Sequence, residues 1–319
     1  MPQEVPPTQG VGPELSRRRK FWRGLLLLAL IVVLGGVVAW LLSEPQPLSS
    51  EAVPAHQPDL ANGKLLFTVG GCINCHRPTK GQAGADPDLP SGGSPLKTPI
   101  GILYPPNLTP DPDTGLGRWT SLDFLNATMR GVSPKGGNYI PAFPYTSYTA
   151  MKVDDLLDIE GYLKSLPAVK SPAKPHDIWL TPLVRRGTGI WKHLGLDTTP
   201  WQPDPTRSAS WNRGSYLVNG PGHCGECHTP RNIFLIKRSD RELAGGPHPD
   251  GEGQVPSLRN LVARGRYKDV NDLASAMQYG ETLGYDKLSS GGMGDVQAEL
   301  AKLPESDIRA IAEYLISLE

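Results

Sequence analysis

Apolar and polar residues alternate in recognisable patterns along the 319-residue chain. Residues 25–42 form a run without a charged side chain, which as a helix is about 27 Å long, close to the hydrocarbon core of a bilayer. Two later segments, 155–166 and 307–318, place apolar residues at i, i+3, i+4 and i+7, as amphipathic helices do. A short helical stretch opened by a glycine begins at Gly63 and again at Gly214. The patterns predict one long apolar helix followed by a helix-rich region.

The two amphipathic segments belong to an internal repeat. An offset of 152 positions relates several identical pairs: Cys72 and Cys224, Pro78 and Pro230, Asp155 and Asp307, Ile159 and Ile311, Tyr162 and Tyr314. Each copy is about 110 residues long, with an early helix, a loop-rich middle and a closing helix, which indicates a duplicated domain and not a solenoid.

Composition limits the kind of protein. The 32 Lys and Arg residues balance the 32 Asp and Glu residues, so the formal net charge is zero and the chain lacks the basic surface typical of nucleic-acid binding. Glycine and proline together make up about 22% of the chain, above the usual share, which predicts many turns and long loops. We therefore expect a globular protein with no nucleic-acid partner.

Cations concentrate just before the apolar run. Five lie within seven positions: Arg17, Arg18, Arg19, Lys20 and Arg23. This arrangement predicts that the N-terminal end stays in the cytoplasm and that the residues after the run cross the membrane. A cleaved signal peptide is the alternative, but the run exceeds the roughly 7–15 residues of such a segment and no small-residue cleavage site follows it. We expect an uncleaved transmembrane anchor over residues 21–43.

The four cysteines fall into two C-x-x-C-H motifs. The first consists of Cys72, Cys75 and His76, and the second of Cys224, Cys227 and His228. Thiols three residues apart on one helical turn can bind the two vinyl groups of one porphyrin, and the adjoining histidine can bind its iron. A redox-active dithiol needs neither the histidine nor a second copy, and a zinc site gives no reason for a histidine after each pair. The sequence predicts two covalently bound haem c groups, with His76 and His228 as axial iron ligands.

Longer sequence segments around the two motifs resemble those of a known family. They are residues 107–111, 115–119 and 141–148 in the first repeat, and residues 211–217 and 222–232 in the second. Each repeat resembles a class I cytochrome c domain. The region from Asp59 onward is similar to the multihaem cytochrome c subunits of membrane-bound dehydrogenases, which implies an all-α fold whose first and last helices cross beside the haem. Those subunits carry three haems, whereas this chain has two motifs, so we expect a dihaem relative.

The sixth iron ligand in such cytochromes is usually a methionine sulfur. Met293 lies in the glycine-rich segment 289–295 ahead of the closing helix, and we expect it to bind the second haem iron. Met277 follows a helical pattern and is expected to pack in the core.

The sixth ligand of the first haem is less clearly specified. The family's usual methionine position holds Phe143, which cannot bind iron. Met151, in the turn before the closing helix, is preferred over Met129, which lies in a helical stretch. His56 and an open iron position stay as alternatives.

The predicted organisation follows the chain. It comprises a cytoplasmic tail (1–20), the anchor (21–43), a stiff exposed tether (44–58), a first cytochrome c domain (59–167), a connector (168–210) and a second cytochrome c domain (211–319). The connector is expected to be largely irregular, with Trp179 and Trp191 buried as it packs across both domains.

The resemblance implies an electron carrier on the periplasmic side of the inner membrane. Electrons would pass from a dehydrogenase or other donor through the two haems into the respiratory chain. The partners expected are the membrane and a redox protein: a dehydrogenase, a soluble cytochrome or an oxidase. The alternatives are a dihaem enzyme of the peroxidase or thiosulfate-oxidising type and a cytochrome subunit of a terminal oxidase.

Overall fold

The computed structural model describes residues 13–79, 85–98, 100–249, 253–280 and 292–319, and divides the chain into two bodies, Met1–Glu44 and Pro45–Glu319. The described part of the first body consists mainly of one helix, α1 (Pro13–Leu42). Within the described residues, Arg17–Leu42 is the one helical stretch long and apolar enough, by length and composition, to cross a membrane.

The second body is built mainly from helices. Their bounds are α2 (Leu60–Val69), α3 (Cys72–His76), α4 (Ser121–Leu125), α5 (Tyr145–Tyr148), α6 (Val153–Ser165), α7 (Thr181–Gly195), α8 (Ala209–Asn219), α9 (Gly225–His228), α10 (Val270–Tyr279), α11 (Met293–Leu300) and α12 (Glu305–Ile316). Single 3-10 turns cover Ser50–Ala52 and Ser239–Arg241, and a π-helical turn, Asn126–Arg130, continues α4.

Two pairs of helices cross closely and hold most of the core between them. Helix α2 packs on α6, and α8 packs on α12. At each crossing a glycine faces a backbone carbonyl. A Cβ added at Gly63 would lie 2.0 Å from the Asp158 oxygen, and one added at Gly214 would lie 1.9 Å from the Ala310 oxygen. These are the glycines that open the predicted early helices, so the sequence places a glycine where the backbones approach too closely for any side chain.

Short strands add to the helical framework that the sequence predicts. Strands β1 (Leu96–Thr98), β2 (Gly101–Leu103) and β3 (Asp177–Ile178) form an antiparallel sheet, and β4 (Gly246–Pro247) pairs with β5 (Gln254–Val255). They lie in the loop-rich middle of each repeat and at the start of the connector, and they fix loops that extend from the motifs.

The connector differs from its prediction. Residues Thr181–Gly195 form helix α7 instead of irregular chain. Trp179 is 83% exposed, whereas Trp191 is half-buried and donates its Nε1 proton to the Phe234 carbonyl at 2.8 Å. The expectation of a buried Trp179 was wrong because the residue precedes a surface helix and does not enter the core.

The segment predicted to be an exposed tether lies along the first repeat. Leu48 and Val53 pack against the core, and the Leu48 amide donates to Asn126 Oδ1 at 2.6 Å. His56 Nε2 lies 2.6 Å from Asp158 Oδ1 on α6. Because these contacts fix the segment to the domain, it does not act as a free spacer.

Candidate haem sites

The first C-x-x-C-H motif is a single helical turn. Gly71 precedes it with φ 53°, a left-handed backbone that allows the chain to reverse before α3. Cys72 and Cys75 are both free thiols three residues apart on this turn. The Asn74 side chain accepts a hydrogen bond from Arg77 Nη2 at 2.6 Å, which closes the turn locally.

His76 has the protonation pattern of an iron ligand. Its Nδ1 lies 2.7 Å from the Pro106 carbonyl oxygen and donates its proton there. Burial lowers the pKa of His76 to about 4, so the ring is neutral at pH 7. With Nδ1 protonated, the lone pair is on Nε2, the atom that would bind iron.

The second motif repeats this arrangement. Cys224 caps α9, and His223 before it has φ 38°, the counterpart of the left-handed Gly71. His228 is 5% exposed and its Nδ1 lies 2.8 Å from the Pro256 carbonyl. Burial also lowers the pKa of His228.

The carbonyl acceptors Pro106 and Pro256 are functional groups that the sequence reasoning did not identify. Each belongs to a Pro-x-Leu string, residues 106–108 in the first repeat and 256–258 in the second. That shared string is the signal by which they could have been found.

The thiols do not resemble those of a redox dithiol. Burial raises the pKa of Cys72 and of Cys224 to about 12, whereas a reactive thiol has a lowered pKa. Across the part of the chain that the structure describes, no three His, Cys, Asp or Glu side chains come together as a metal cluster. Paired neutral thiols on one turn, followed by a histidine with a lone pair on Nε2, fit haem c.

The predicted ligand Met293 is the first residue of α11, following Gly292, and is half-buried. The glycine-rich segment that precedes it, residues 281–291, lies outside the described residues. Helix α11 packs on α10 and also on α2 of the first repeat, and its Asp295 lies 3.9 Å from Arg77, the residue that follows the first motif. Met277 is 3% exposed and packs in the core, as predicted.

The candidates for the first iron differ in their surroundings. Met151 is 1% exposed and packs near Gly220, where an added Cβ would lie 3.1 Å from the Met151 Cγ. Met129 is half-buried in the π-helical turn. Both ring nitrogens of His56 face carboxylates, Asp158 at 2.6 Å and Asp154 at 3.7 Å, which favours protonation over iron binding.

The two motifs meet at a junction between the repeats. A Cβ added at Gly70 would lie 3.3 Å from the Pro221 carbonyl oxygen. A Cβ added at Gly222 would lie 3.5 Å from Val69 Cγ1. Residues 70 and 222 differ by the repeat offset, so the contact is pseudo-symmetric. His223, directly before the first cysteine of its motif, places Nε2 3.1 Å from the Gly70 carbonyl.

A buried carboxylate strengthens this junction. Glu226, within the second motif, is 9% exposed and accepts hydrogen bonds from four side chains: Thr146 and Ser147 of α5 at 2.6 and 2.7 Å, and Arg231 and Lys237 at 2.7 and 2.8 Å. The nearby cations Lys237 and Arg231 and the hydrogen bonds outweigh burial and lower the pKa of Glu226 to about 2. The carboxylate therefore ties the second motif to the first repeat.

Comparison with known proteins defines the class and then the family. A family model described as cytochrome c matches residues 60–167. The chain is 37% identical over 298 residues to a diheme cytochrome c-type protein of Cereibacter sphaeroides, which covers 93% of this chain and 97% of that protein. The chain belongs to the dihaem c-type cytochromes and carries two covalently bound haem c groups.

Other relatives are parts of dehydrogenases. A nicotinate dehydrogenase subunit of Pseudomonas putida is 35% identical over 326 residues, which cover 98% of this chain but 26% of that subunit. The cytochrome c subunit of a quinone alcohol dehydrogenase of Gluconacetobacter polyoxogenes is 35% identical over 268 residues, which cover 80% of this chain and 55% of that subunit. The chain thus spans about a quarter and about half of these two proteins.

Proposed function

We propose that the chain is a membrane-anchored dihaem cytochrome that passes electrons from a dehydrogenase on the periplasmic side of the inner membrane into the respiratory chain. Haem c, when bound, supplies one-electron chemistry between Fe(III) and Fe(II). The covalent attachment residues would be Cys72 and Cys75 for the first haem, and Cys224 and Cys227 for the second. The axial histidines would be His76 and His228.

The observation that carries this proposal is the matched pair of motif histidines. Each follows two free thiols on one helical turn, and each is neutral and donates Nδ1–H to a carbonyl, at 2.7 Å for His76 and 2.8 Å for His228. Such a bond orients the ring and increases the electron density on Nε2. Together with the two glycine crossings at Gly63 and Gly214, the match supports two tandem class I cytochrome c domains over residues 59–167 and 211–319.

For the sixth positions we propose Met293 in the second domain and Met151 in the first. Met293 is the first residue of α11, and Met151 is buried in the turn before α6. A methionine thioether would serve as the sixth ligand and would raise the haem potential, as suits electron transfer. Phe143 occupies the family's usual methionine position. This supports a second candidate function, a dihaem enzyme whose first iron has an open sixth coordination position.

The membrane part of the proposal rests on α1. Its apolar stretch is long enough to span a bilayer, and Arg17, Arg18, Arg19, Lys20 and Arg23 precede or open that stretch. Cations at the N-terminal end favour a cytoplasmic N-terminus and a periplasmic position for the residues that follow. The dehydrogenase partner is supported by the relatives that are dehydrogenase subunits.

Removing one cysteine pair at a time tests the attachment. We expect the Cys72→Ala/Cys75→Ala chain and the Cys224→Ala/Cys227→Ala chain each to lose the mass of one haem under denaturing conditions. A chain that keeps two haems, or loses both in each variant, contradicts the assignment.

Substitution of the proposed methionine ligands tests the sixth positions. In otherwise intact protein, Met151→Ala and Met293→Ala should each remove half of the near-infrared sulfur-to-iron band, whereas the control Met277→Ala should not. Carbon monoxide binding by the wild-type protein would favour the open-iron alternative.

A further inference from the structure

Exposed apolar side chains of the second body are concentrated in one place. Seven large apolar side chains of Pro45–Glu319 are more than 60% exposed in the part that the structure describes. One is Tyr279; the other six, here called the apolar face, are Trp179, Leu183, Leu194, Ile233, Phe234 and Leu235. Scattered exposed residues need no explanation, but a contiguous apolar patch marks an interaction surface.

The two segments of the apolar face are neighbours in the fold. Trp191 of α7 donates its Nε1 proton to the Phe234 carbonyl at 2.8 Å, and a Cβ added at Gly195 would lie 3.0 Å from Ile236 Cγ1. The loop tip 233–235 therefore lies at the C-terminal end of α7, while Trp179 lies just before its N-terminal end. A helix of 15 residues is about 22 Å long, so the apolar face follows an extended strip.

Helix α7 itself is amphipathic with its apolar side outward. Leu183, Gly187, Ile190 and Leu194 lie on one side of the helix at spacings of four, three and four residues. The opposite side carries the buried Thr188 and Gly189, and Lys192, whose Nζ donates to the Arg130 and Gly131 carbonyls at 2.6 and 2.8 Å. The solvent-facing side thus carries leucines and the protein-facing side polar and small residues, the reverse of an ordinary surface helix.

Helix α7 itself carries positive charge and no carboxylate. Between Asp177 and Asp197 the chain has no carboxylate, and besides Lys192, which faces the protein, it has the cations Arg185 and Arg186. In the segment from Cys227 to Ser239, Arg231 and Lys237 are paired with Glu226 and Arg238 with Asp240, so this segment adds apolar surface and little free charge. A cationic segment with an exposed apolar side, free of carboxylates, is typical of helices that lie in the headgroup region of a membrane.

The chain also brings this helix close to the predicted membrane exit. Gln46 Nε2 lies 3.4 Å from His193 Nε2, and His193 adjoins Leu194 of the apolar face. Gln46 follows Leu42, the last residue of α1, by four residues, which can extend over at most about 14 Å. If α1 crosses the bilayer, the C-terminal end of α7 cannot be far from its surface. A soluble protein partner gives no reason for this proximity.

We propose that the apolar face lies in the headgroup region of the same phospholipid membrane that α1 anchors to. This inference rests on the proposed anchor, since the four-residue distance has meaning only if α1 spans the bilayer. The second contact holds the two haem domains in one orientation to the membrane surface, because α7 belongs to the connector between them.

Photo-crosslinking of the full chain tests this placement. The holoprotein is reconstituted in nanodiscs of phosphatidylethanolamine and phosphatidylglycerol, with the exchange Phe234→p-benzoylphenylalanine. The matched control is the same exchange at Tyr279, which is 68% exposed but lies on α10, outside the apolar face. We expect the lipid adduct at position 234 to exceed that at position 279 by about tenfold. Unchanged c-type haem absorbance shows that both variants are folded.

Two outcomes overturn the inference: equal lipid adducts at both positions, or, in native membranes, a protein adduct at position 234 in place of a lipid. An alkaline carbonate wash separates this failure from failure of the anchor. If the wash removes the chain from native membranes, the proposed anchoring is wrong. If the chain stays and position 234 is no more labelled than position 279, the anchor stands and the placement of α7 is wrong.

Discussion

The two C-x-x-C-H motifs occupy equivalent places in their repeats but are held in different ways. At the third position of the motif the first repeat has Asn74 and the second has Glu226. Asn74 accepts one hydrogen bond, from Arg77 in its own turn. Glu226 accepts bonds from four side chains, of which Thr146 and Ser147 come from the other repeat. The first motif is closed mainly within its own turn, and its ion pair with the other repeat, between Arg77 and Asp295, is 3.9 Å long, whereas the second motif has two short hydrogen bonds across the junction.

This difference shows that equivalent positions of the two repeats make different contacts. His228 is 5% exposed, whereas His76 is half-buried. Hydrogen bonds around a haem and its access to water are among the factors that set its potential. The two repeats therefore carry the same motif, and different residues at equivalent positions make the two environments unlike.

The largest effect is expected from Glu226→Gln. Lowering the pKa of Glu226 from 4.5 to about 2 corresponds to about 3 kcal/mol of folding free energy at neutral pH. The glutamine keeps acceptor contacts but leaves Lys237 and Arg231 without their anion, so urea unfolding of the holoprotein at pH 7 should show a loss of this size.

The matched control is Asn74→Ala at the equivalent position, with an expected loss of about 1 kcal/mol or less. The pH dependence gives an independent check. Because the folded pKa of Glu226 is depressed, its contribution is present above pH 4.5 and is lost as the pH falls toward 2. The Glu226→Gln protein should lack this component. Equal losses for the two variants would show that the junction does not hold the second motif more strongly than Arg77 holds the first.

Sequence patterns predicted those features that are set locally. The offset of 152 residues identified the motifs and closing helices, and Gly63 and Gly214 mark the helix crossings because close backbone approach excludes a Cβ. The junction could not be predicted in this way. Glu226 occupies a motif position that admits any residue. Its contribution to stability depends on hydroxyl groups that lie about 80 residues away in the chain.

The same limit applies to the connector. Its prolines and tryptophans indicated an irregular strap with buried aromatic rings, but Thr181–Gly195 is a helix and Trp179 is 83% exposed. Tryptophan is usually buried, and only the tertiary position of α7 shows that this one faces outward.

An intermediate effect is expected from the residue before each first cysteine. Gly71 has φ 53°, and a Cβ there would lie 2.9 Å from Asn74 Nδ2, so Gly71→Ala should destabilise the protein by about 1–2 kcal/mol. His223 has φ 38° and is therefore strained, but it lies 3.1 Å from the Gly70 carbonyl and 5.9 Å, ring to ring, from Tyr148. His223→Gly relieves the backbone and removes these contacts.

We therefore expect a net change near zero for His223→Gly when both variants are compared by urea unfolding at the same pH. If His223→Gly lowers the free energy of unfolding as much as Gly71→Ala does, the contact with Gly70 stabilises the protein by more than the backbone strain destabilises it. In that case the junction, and not the left-handed turn, determines the residue at this position.

The smallest effect concerns a contact that only the first repeat has. His56 lies against Asp158 at 2.6 Å, with Asp154 and Asp155 nearby, and the hydrogen bond to Asp158 raises the pKa of His56 above 6.5. The equivalent positions of the second repeat are Ser208 and Ala310, which do not titrate. Since a raised folded pKa stabilises the protonated form, this contribution is present below pH 6.5 and is lost as the pH rises through the folded pKa.

Hydrogen exchange of the holoprotein resolves the two repeats separately. As the pH rises above 6.5, after correction for intrinsic exchange, the amides of α2 and α6 should lose protection while those of α8 and α12 do not. His56→Gln should remove the difference, because glutamine keeps a donor to Asp158 but no titration. A parallel loss of protection in both helix pairs would instead mean that the junction transmits the change, and that the repeats open as one cooperative body rather than as two.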